Sequence, residues 1–211
     1  ETIVVRLTNK LDEPTTIHWH GIRLPSSMDG TQVVQPSVAP GETFVYRFTP
    51  QDAGTFWYHS HLNETEQLEK GLYGALIVRG DDDLTLVGER VLVLDDVKIG
   101  RKGDFARFGG WIEQHTGREG DVRLVNGRME PELVCAAGQT ERWRVVNASS
   151  ARYVRLSVGG TRFIILGGGG GLIESPVFAS EVLLPPGDRI DIAVGPFKEG
   201  EVITVDSLPY D

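Results

Sequence analysis

The sequence is poor in the residues that staple small secreted folds or mark nucleic-acid binders. Cysteine occurs once among 211 residues, as Cys135, which excludes an internal disulfide framework. Lysine and arginine total 21 against 30 acidic residues, a formal net charge of −9. Such a chain has little with which to neutralise phosphates, which argues against nucleic acid or an anionic membrane surface as partner. No apolar run approaches the ~18–20 residues of a membrane span. Apolar patterns of helical period are scarce, and only two methionines and five histidines are present.

What is there points to short strands and turns. Glycine numbers 26 and proline 11, and 40% of the residues are hydrophobic, enough for one large or two ordinary domains. Residues 1–8, Thr15–His20, Thr43–Phe48, 55–61 and Leu72–Val78 read as strands, with Asn63–Lys70 a short helix or loop. A composition break at Gly80-Asp81-Asp82-Asp83 suggests a boundary near residue 84. A second β module then runs through Arg90–Asp96, Arg123–Val125, Gln139–Val146, Arg152–Val158, Arg162–Leu166, Glu181–Leu184 and Asp188–Val194. Residues 98–120 form a polar insertion. The fold class expected is all-β, with strands at intervals that suit sandwiches or barrels.

Four of the five histidines fall in two His-x-His pairs, His18-Trp19-His20 and His59-Ser60-His61. In a strand, residues i and i+2 share a face, so each pair presents two imidazoles side by side, about 6–7 Å apart at Cα. Imidazole suits copper, zinc, iron and nickel, and four imidazoles without a thiolate or carboxylate put copper first. Zinc is the chemical rival, in a closed four-ligand site. His115 stands alone in a polar Gln-His-Thr-Gly-Arg segment and reads as a solvated residue. Gly167–Gly171 is not a phosphate loop, because neither Lys-Ser/Thr nor a helix signal follows; it reads as a mobile or tightly turned loop.

His18-Trp19-His20-Gly21 and Trp57-Tyr58-His59-Ser60-His61, with Pro40-Gly41-Glu42 and Tyr46-Arg47-Phe48 between them, resemble the multicopper oxidases. So do Leu124-Val125-Asn126-Gly127, Arg142-Trp143-Arg144-Val145-Val146-Asn147 and Pro186-Gly187-Asp188-Arg189 in the second half. The resemblance implies tandem cupredoxin-like Greek-key sandwiches, with residues 1–84 the first domain, lacking its initial strands. Residues 85–205 would be the second domain, and 206–211 the start of a linker to an absent third. It implies that His18 binds a type 2 copper, that His20, His59 and His61 bind the type 3 pair, and that Asp29 helps deliver protons. By itself Asp29 reads as a turn former before Gly30. Cys135 has no flanking histidine and cannot be the type 1 copper ligand.

The function so implied is a laccase-like, copper-dependent oxidoreductase that couples one-electron oxidations of a phenol, amine or metal ion to reduction of dioxygen to water. This chain would supply half of the three-copper cluster and be inactive alone. The partners expected are dioxygen, the reducing substrate and the third cupredoxin domain, with room for homo-oligomers. The location expected is secreted or periplasmic. The alternatives are a non-enzymatic cupredoxin-fold interaction protein and a copper carrier.

Overall fold

The computed structural model describes residues 1–80, 86 and 88–210. The expected boundary between 84 and 85 lies outside the described residues. The first module contains β1 (Ile3–Thr8), β2 (His18–His20), β3 (Thr43–Phe48), β4 (Gly54–His59), the short helix α1 (Glu64–Glu69) and β5 (Tyr73–Val78). β1 pairs antiparallel with β3, while β2, β4 and β5 form a three-stranded sheet in the order β2-β4-β5. Alternation fixes which side chains go in. Trp19 is buried between two half-buried histidines and packs with Ile22, Tyr46, Phe48 and Phe56, joined by Ile3, Val5 and Leu7 from β1. This is the core of the first module.

The second module comprises β6 (Gly88–Val97), α2 (Trp111–Thr116), β7 (Val122–Val125), β8 (Glu141–Asn147), β9 (Val154–Val158), β10 (Phe163–Gly168), β11 (Gly171–Ala179), β12 (Glu181–Leu184), β13 (Arg189–Val194) and β14 (Val205–Leu208). Six strands run in the order β11-β10-β13-β8-β6-β7 and three in the order β12-β9-β14. Non-consecutive strands lie side by side and β6 runs parallel to β8, so crossovers join the two sheets. Trp143, Val145, Leu156, Val158, Phe163 and Ile192 fill the space between them. The all-β architecture stands. Among the described residues no helix is long and apolar enough to cross a membrane.

Several expected bounds shift, for physical reasons. β2 begins at His18 rather than Thr15, because Thr15 turns its hydroxyl to Gln67 Oε1 at 2.7 Å and makes only an isolated bridge to Val38. The insertion at 98–120 holds a helix, α2, and His115 lies on it rather than in a loop. The glycine run is the tip of the β10–β11 hairpin, with Gly167 and Gly168 in one strand and Gly171 in the other. The sequence pattern does not show β11, since Glu174, Ser175 and Pro176 interrupt its apolar run and most of it is exposed. The linker expected from residue 206 begins instead inside β14, an edge strand paired with β9.

The modules are joined through the far face of β4. Trp57, Leu68, Val93, Val146 and Ala148 form a third apolar cluster with Tyr73, Ala75 and Val91 around it. Beside it lies a buried polar knot. Thr55 Oγ1 donates to Asp191 Oδ1 at 2.5 Å, Arg142 Nη2 donates to Asp191 Oδ2 at 2.5 Å, and Arg144 Nη1 reaches the same oxygen at 3.1 Å. Arg142, Arg144 and Asp191 are each almost wholly buried. Removing one partner of such a cluster leaves uncompensated charge in low dielectric. Asp191→Ala is therefore expected to destabilise the chain by about 3–5 kcal/mol, read as a lowered urea midpoint. A change below about 1 kcal/mol would show that the guanidinium groups are satisfied without Asp191.

Candidate metal centre

The β2–β4 register brings the two histidine pairs together. His18 lies opposite His59 and His20 opposite Trp57, so the imidazoles of both strands emerge on the face turned away from Trp19. Ring nitrogens of His18, His20 and His59 all lie within 4.8 Å of one another. His61, just past the end of β4, is outside that tight group and more exposed. Its ring centroid is 5.2 Å from that of His18 and 5.9 Å from that of His59. These rings line a cavity of about 290 Å³, closed on other sides by Glu64 of α1 and by Ser149, Ser150 and Gly187 of the second module.

Hydrogen bonds decide which nitrogen each ring offers. His18 Nδ1 is 2.9 Å from the carbonyl of Asp29, and His59 Nδ1 is 2.9 Å from the carbonyl of Ser60. A carbonyl only accepts, so both Nδ1 atoms carry the proton and both Nε2 atoms are free to bind a cation. Carboxylates back the same nitrogens: Asp29 Oδ1 is 3.5 Å from His18 Nδ1, and Glu64 Oε1 is 3.4 Å from His59 Nδ1. His20 Nδ1 lies 3.5 Å from His59 Nε2. Metal–imidazole bonds of about 2.0–2.1 Å put two nitrogens on one tetrahedral ion about 3.3 Å apart, so this pair fits a single metal ion. The donor set is neutral nitrogen, which suits a late first-row metal.

The surroundings hold those rings still. Trp57 stacks against both His20, at 5.0 Å, and His59, at 4.3 Å, whose own ring centroids are 5.7 Å apart. Asp29 reaches His18 because Gly30 follows it: φ is +79°, and a Cβ there would lie 1.9 Å from the carbonyl oxygen of Ile17. Only glycine lets this loop close on β2. His115 lies apart, its Nδ1 bonded to the carbonyl of Trp111 at 2.8 Å. Cys135 sits in the second module against Arg90 and Glu141, where burial and then Glu141 push its thiol pKa up.

Residues 1–83 match the multicopper oxidase family model. The chain is 29% identical to the multicopper oxidase of Staphylococcus aureus across 98% of its own length and 47% of that protein. Among solved structures, a multicopper oxidase from Pseudomonas thermotolerans matches with a TM-score of 0.93 and 40% identity, over 98% of this chain and 51% of that one. Across nearly its whole length the chain is similar to multicopper oxidases. A multicopper oxidase from Campylobacter jejuni described as a metallo-oxidase matches at 34% identity and a TM-score of 0.89, over the whole of this chain and 45% of that one. The chain thus spans about half the length of the relatives it matches.

As in any multicopper oxidase relative, ligands must be unprotonated to bind. Burial, then the charge of Arg189, lowers the pKa of His20 to about 4. Burial lowers that of His59 to about 4, outweighing the opposing hydrogen bond to Ser60. What the sequence did not reveal is that Gly187, Ser149, Ser150 and Glu64 border these rings. The Pro186-Gly187-Asp188-Arg189 turn was a visible motif, but its position over His20 depends on how the modules pack.

The depressed values set a pH window. The unfolded histidines take up protons below their ordinary 6.5, while the folded ones resist until about 4. Their contribution is thus intact above 6.5 and lost as pH falls through the window to about 4. Asp95 acts oppositely, since burial raises its carboxyl from 3.8 to about 7 and its contribution is lost as pH rises across that range. The difference in unfolding free energy between wild type and a His20→Gln/His59→Gln variant cancels Asp95. That difference is expected to shift against wild type as pH drops from 6.5 to 4; equal slopes would rule the assignment out.

Proposed function

We propose that this chain provides half of a three-copper oxygen-reducing centre in a laccase-like multicopper oxidase. The observation that carries this is the 3.5 Å approach of His20 Nδ1 to His59 Nε2, with the Nδ1 atoms of His18 and His59 already engaged by backbone carbonyls. His18 would hold the type 2 copper, and His20, His59 and His61 the type 3 pair. The remaining ligands, the type 1 copper and the substrate surface would come from a third cupredoxin domain. Copper, when bound, would relay to dioxygen the four electrons taken one at a time from the reducing substrate, giving water. The reducing substrate would be a phenol, an amine or a metal ion, and the location secreted or periplasmic.

The residues of this chain then have definite work. The four imidazoles bind as neutral donors, and His18 and His59 keep their protons on Nδ1 for the Asp29 and Ser60 carbonyls. Trp57 and the turn over His20 exclude water from one side of the cavity. Asp29, whose carboxyl oxygen lies 3.5 Å from His18 Nδ1 and which is only partly buried, sits where it can take a proton from solvent and pass it toward the cavity. A positioned proton donor contributes about 10²–10⁴-fold to a rate.

The intact oxidase is expected to bind copper and consume dioxygen with a reducing substrate. His20→Ala and His59→Ala should each weaken copper binding by more than about 100-fold, since loss of an outer-shell partner alone costs ~10–100-fold. Asp29→Asn should retain copper and lower the oxygen-consumption rate at least ~10²-fold. A copper-free, colourless preparation of the intact protein would sink the oxidase reading in favour of an interaction protein. Copper bound by this chain alone without oxygen consumption in the intact protein would favour a carrier.

A further inference from the structure

The glycine run at the β10–β11 hairpin and Arg189 at the start of β13 meet beside the histidine site. Arg189 is partly buried, and its guanidinium donates to three backbone carbonyls from three separate segments. Nε donates to Thr55 on β4 at 3.2 Å, Nη1 to Gly187 at 3.2 Å, and Nη2 to Gly169 in the hairpin tip at 3.0 Å. Glycines make the space for it. A Cβ at Gly169 would lie 2.6 Å from Nη2 and 2.7 Å from Cζ, and one at Gly21 would lie 2.2 Å from Nη2. The planar fork fits a slot that any side chain on either wall would fill.

The slot leads to a metal-binding ring. The Gly187 carbonyl that receives Arg189 Nη1 also receives Trp57 Nε1, at 3.2 Å. The α-carbon of the same Gly187 abuts His20: a Cβ there would stand 3.0 Å from His20 Cε1 and 3.5 Å from Nε2. One edge of His20 is thus pressed by Gly187, and the other, Nδ1, faces His59. We propose that Arg189, seated between Gly21 and Gly169, is a positioning residue that locks the Gly187 turn against His20 so that this ring presents Nδ1 to the metal. The inference rests on the metal-centre reading above and assigns a role to Gly169 of the glycine run: room for a guanidinium.

Arginine is required by shape as well as charge. Its rigid fork reaches carbonyls in three directions, whereas a lysine ammonium is a single point that cannot span them. Gly169 is a clean position to test, because its φ lies outside the left-handed range and the three atoms nearest to an alanine Cβ there all belong to the guanidinium.

The test uses the full chain, with copper(I) affinity measured by competition against a chromophoric chelator and ring ¹⁵N NMR of the metal-free chain. Arg189→Ala is expected to weaken copper(I) binding about 10–100-fold and to convert His20 from one tautomer to a mixture. Arg189→Lys restores the charge and is expected not to restore either signal. Gly169→Ala is expected to act in the same direction, and to add nothing in the Arg189→Ala background. Wild-type affinity and tautomer in Arg189→Ala, full rescue by lysine, or additive losses would each overturn the proposal. Should Arg189→Ala not fold by circular dichroism, Arg189→Lys and Gly169→Ala carry the same comparison. If wild type itself binds no copper, the NMR arm decides alone: an unchanged His20 tautomer in Arg189→Ala overturns the proposal, whereas the metal-centre reading fails only if the intact protein is copper-free.

Discussion

The structure depends on a sheet that is covered on both faces. β2, β4 and β5 turn Trp19, Phe56 and Tyr58 toward the first core and His18, His20, Trp57 and His59 toward the second module. A strand with only one buried face would leave its imidazoles in water, protonating near their ordinary pKa. Covering the second face with Trp57, Val93, Val146 and Ala148 takes the rings out of solvent and makes their charged forms costly. The second module contributes no histidine to the cluster. It acts by desolvation and by the backbone of one turn.

That arrangement separates affinity for protons from affinity for metal. Desolvation penalises an imidazolium, but a cation held by several imidazoles spreads its charge over them. The Nδ1 protons are directed to the carbonyls of Asp29 and Ser60, with the carboxylates of Asp29 and Glu64 just beyond, which orients each ring and strengthens Nε2 as a donor. Trp57 then fixes the spacing, as one indole stacked against both His20 and His59. Thr55, on the same strand as Trp57, enters the buried knot with Asp191 of β13 and Arg142 and Arg144 of β8, so one strand carries both the stacking indole and a polar contact that joins the modules.

The legible part of this design was local. Period-2 geometry placed His18 with His20, and it placed Trp19 on the opposite side, where it packs at 4.9 Å from Phe48. Strands with clean alternation, such as Thr43–Phe48, were found within a residue or two. The reading weakened where side chains compete with the ladder, as at Thr15, whose hydroxyl serves Gln67 instead. It failed at β11, where proline and glutamate interrupt the pattern and pairing with β10 is set by a bulge between Ile165 and Gly167. Contacts between distant segments left no trace in spacing. Nothing in Pro186-Gly187-Asp188-Arg189 says that its second residue touches a histidine about 170 positions away, a separation that only tertiary packing defines.

The histidines are also graded in burial, and the gradient has a direction. His59 is almost fully enclosed, His18 and His20 are partly so, and His61 is exposed. Trp57 stacks against His20 and His59, with the Gly187 turn against His20, whereas the ring contacts of His61 are with His18 and His59. An exposed imidazole at the rim has more rotamer freedom to lose on binding a metal than one already packed. A centre using all four would therefore gain most from a surface that packs against His61 and closes the cavity beside Ser149 and Ser150. The relatives, at about twice this length, have the additional chain from which such a surface would be built.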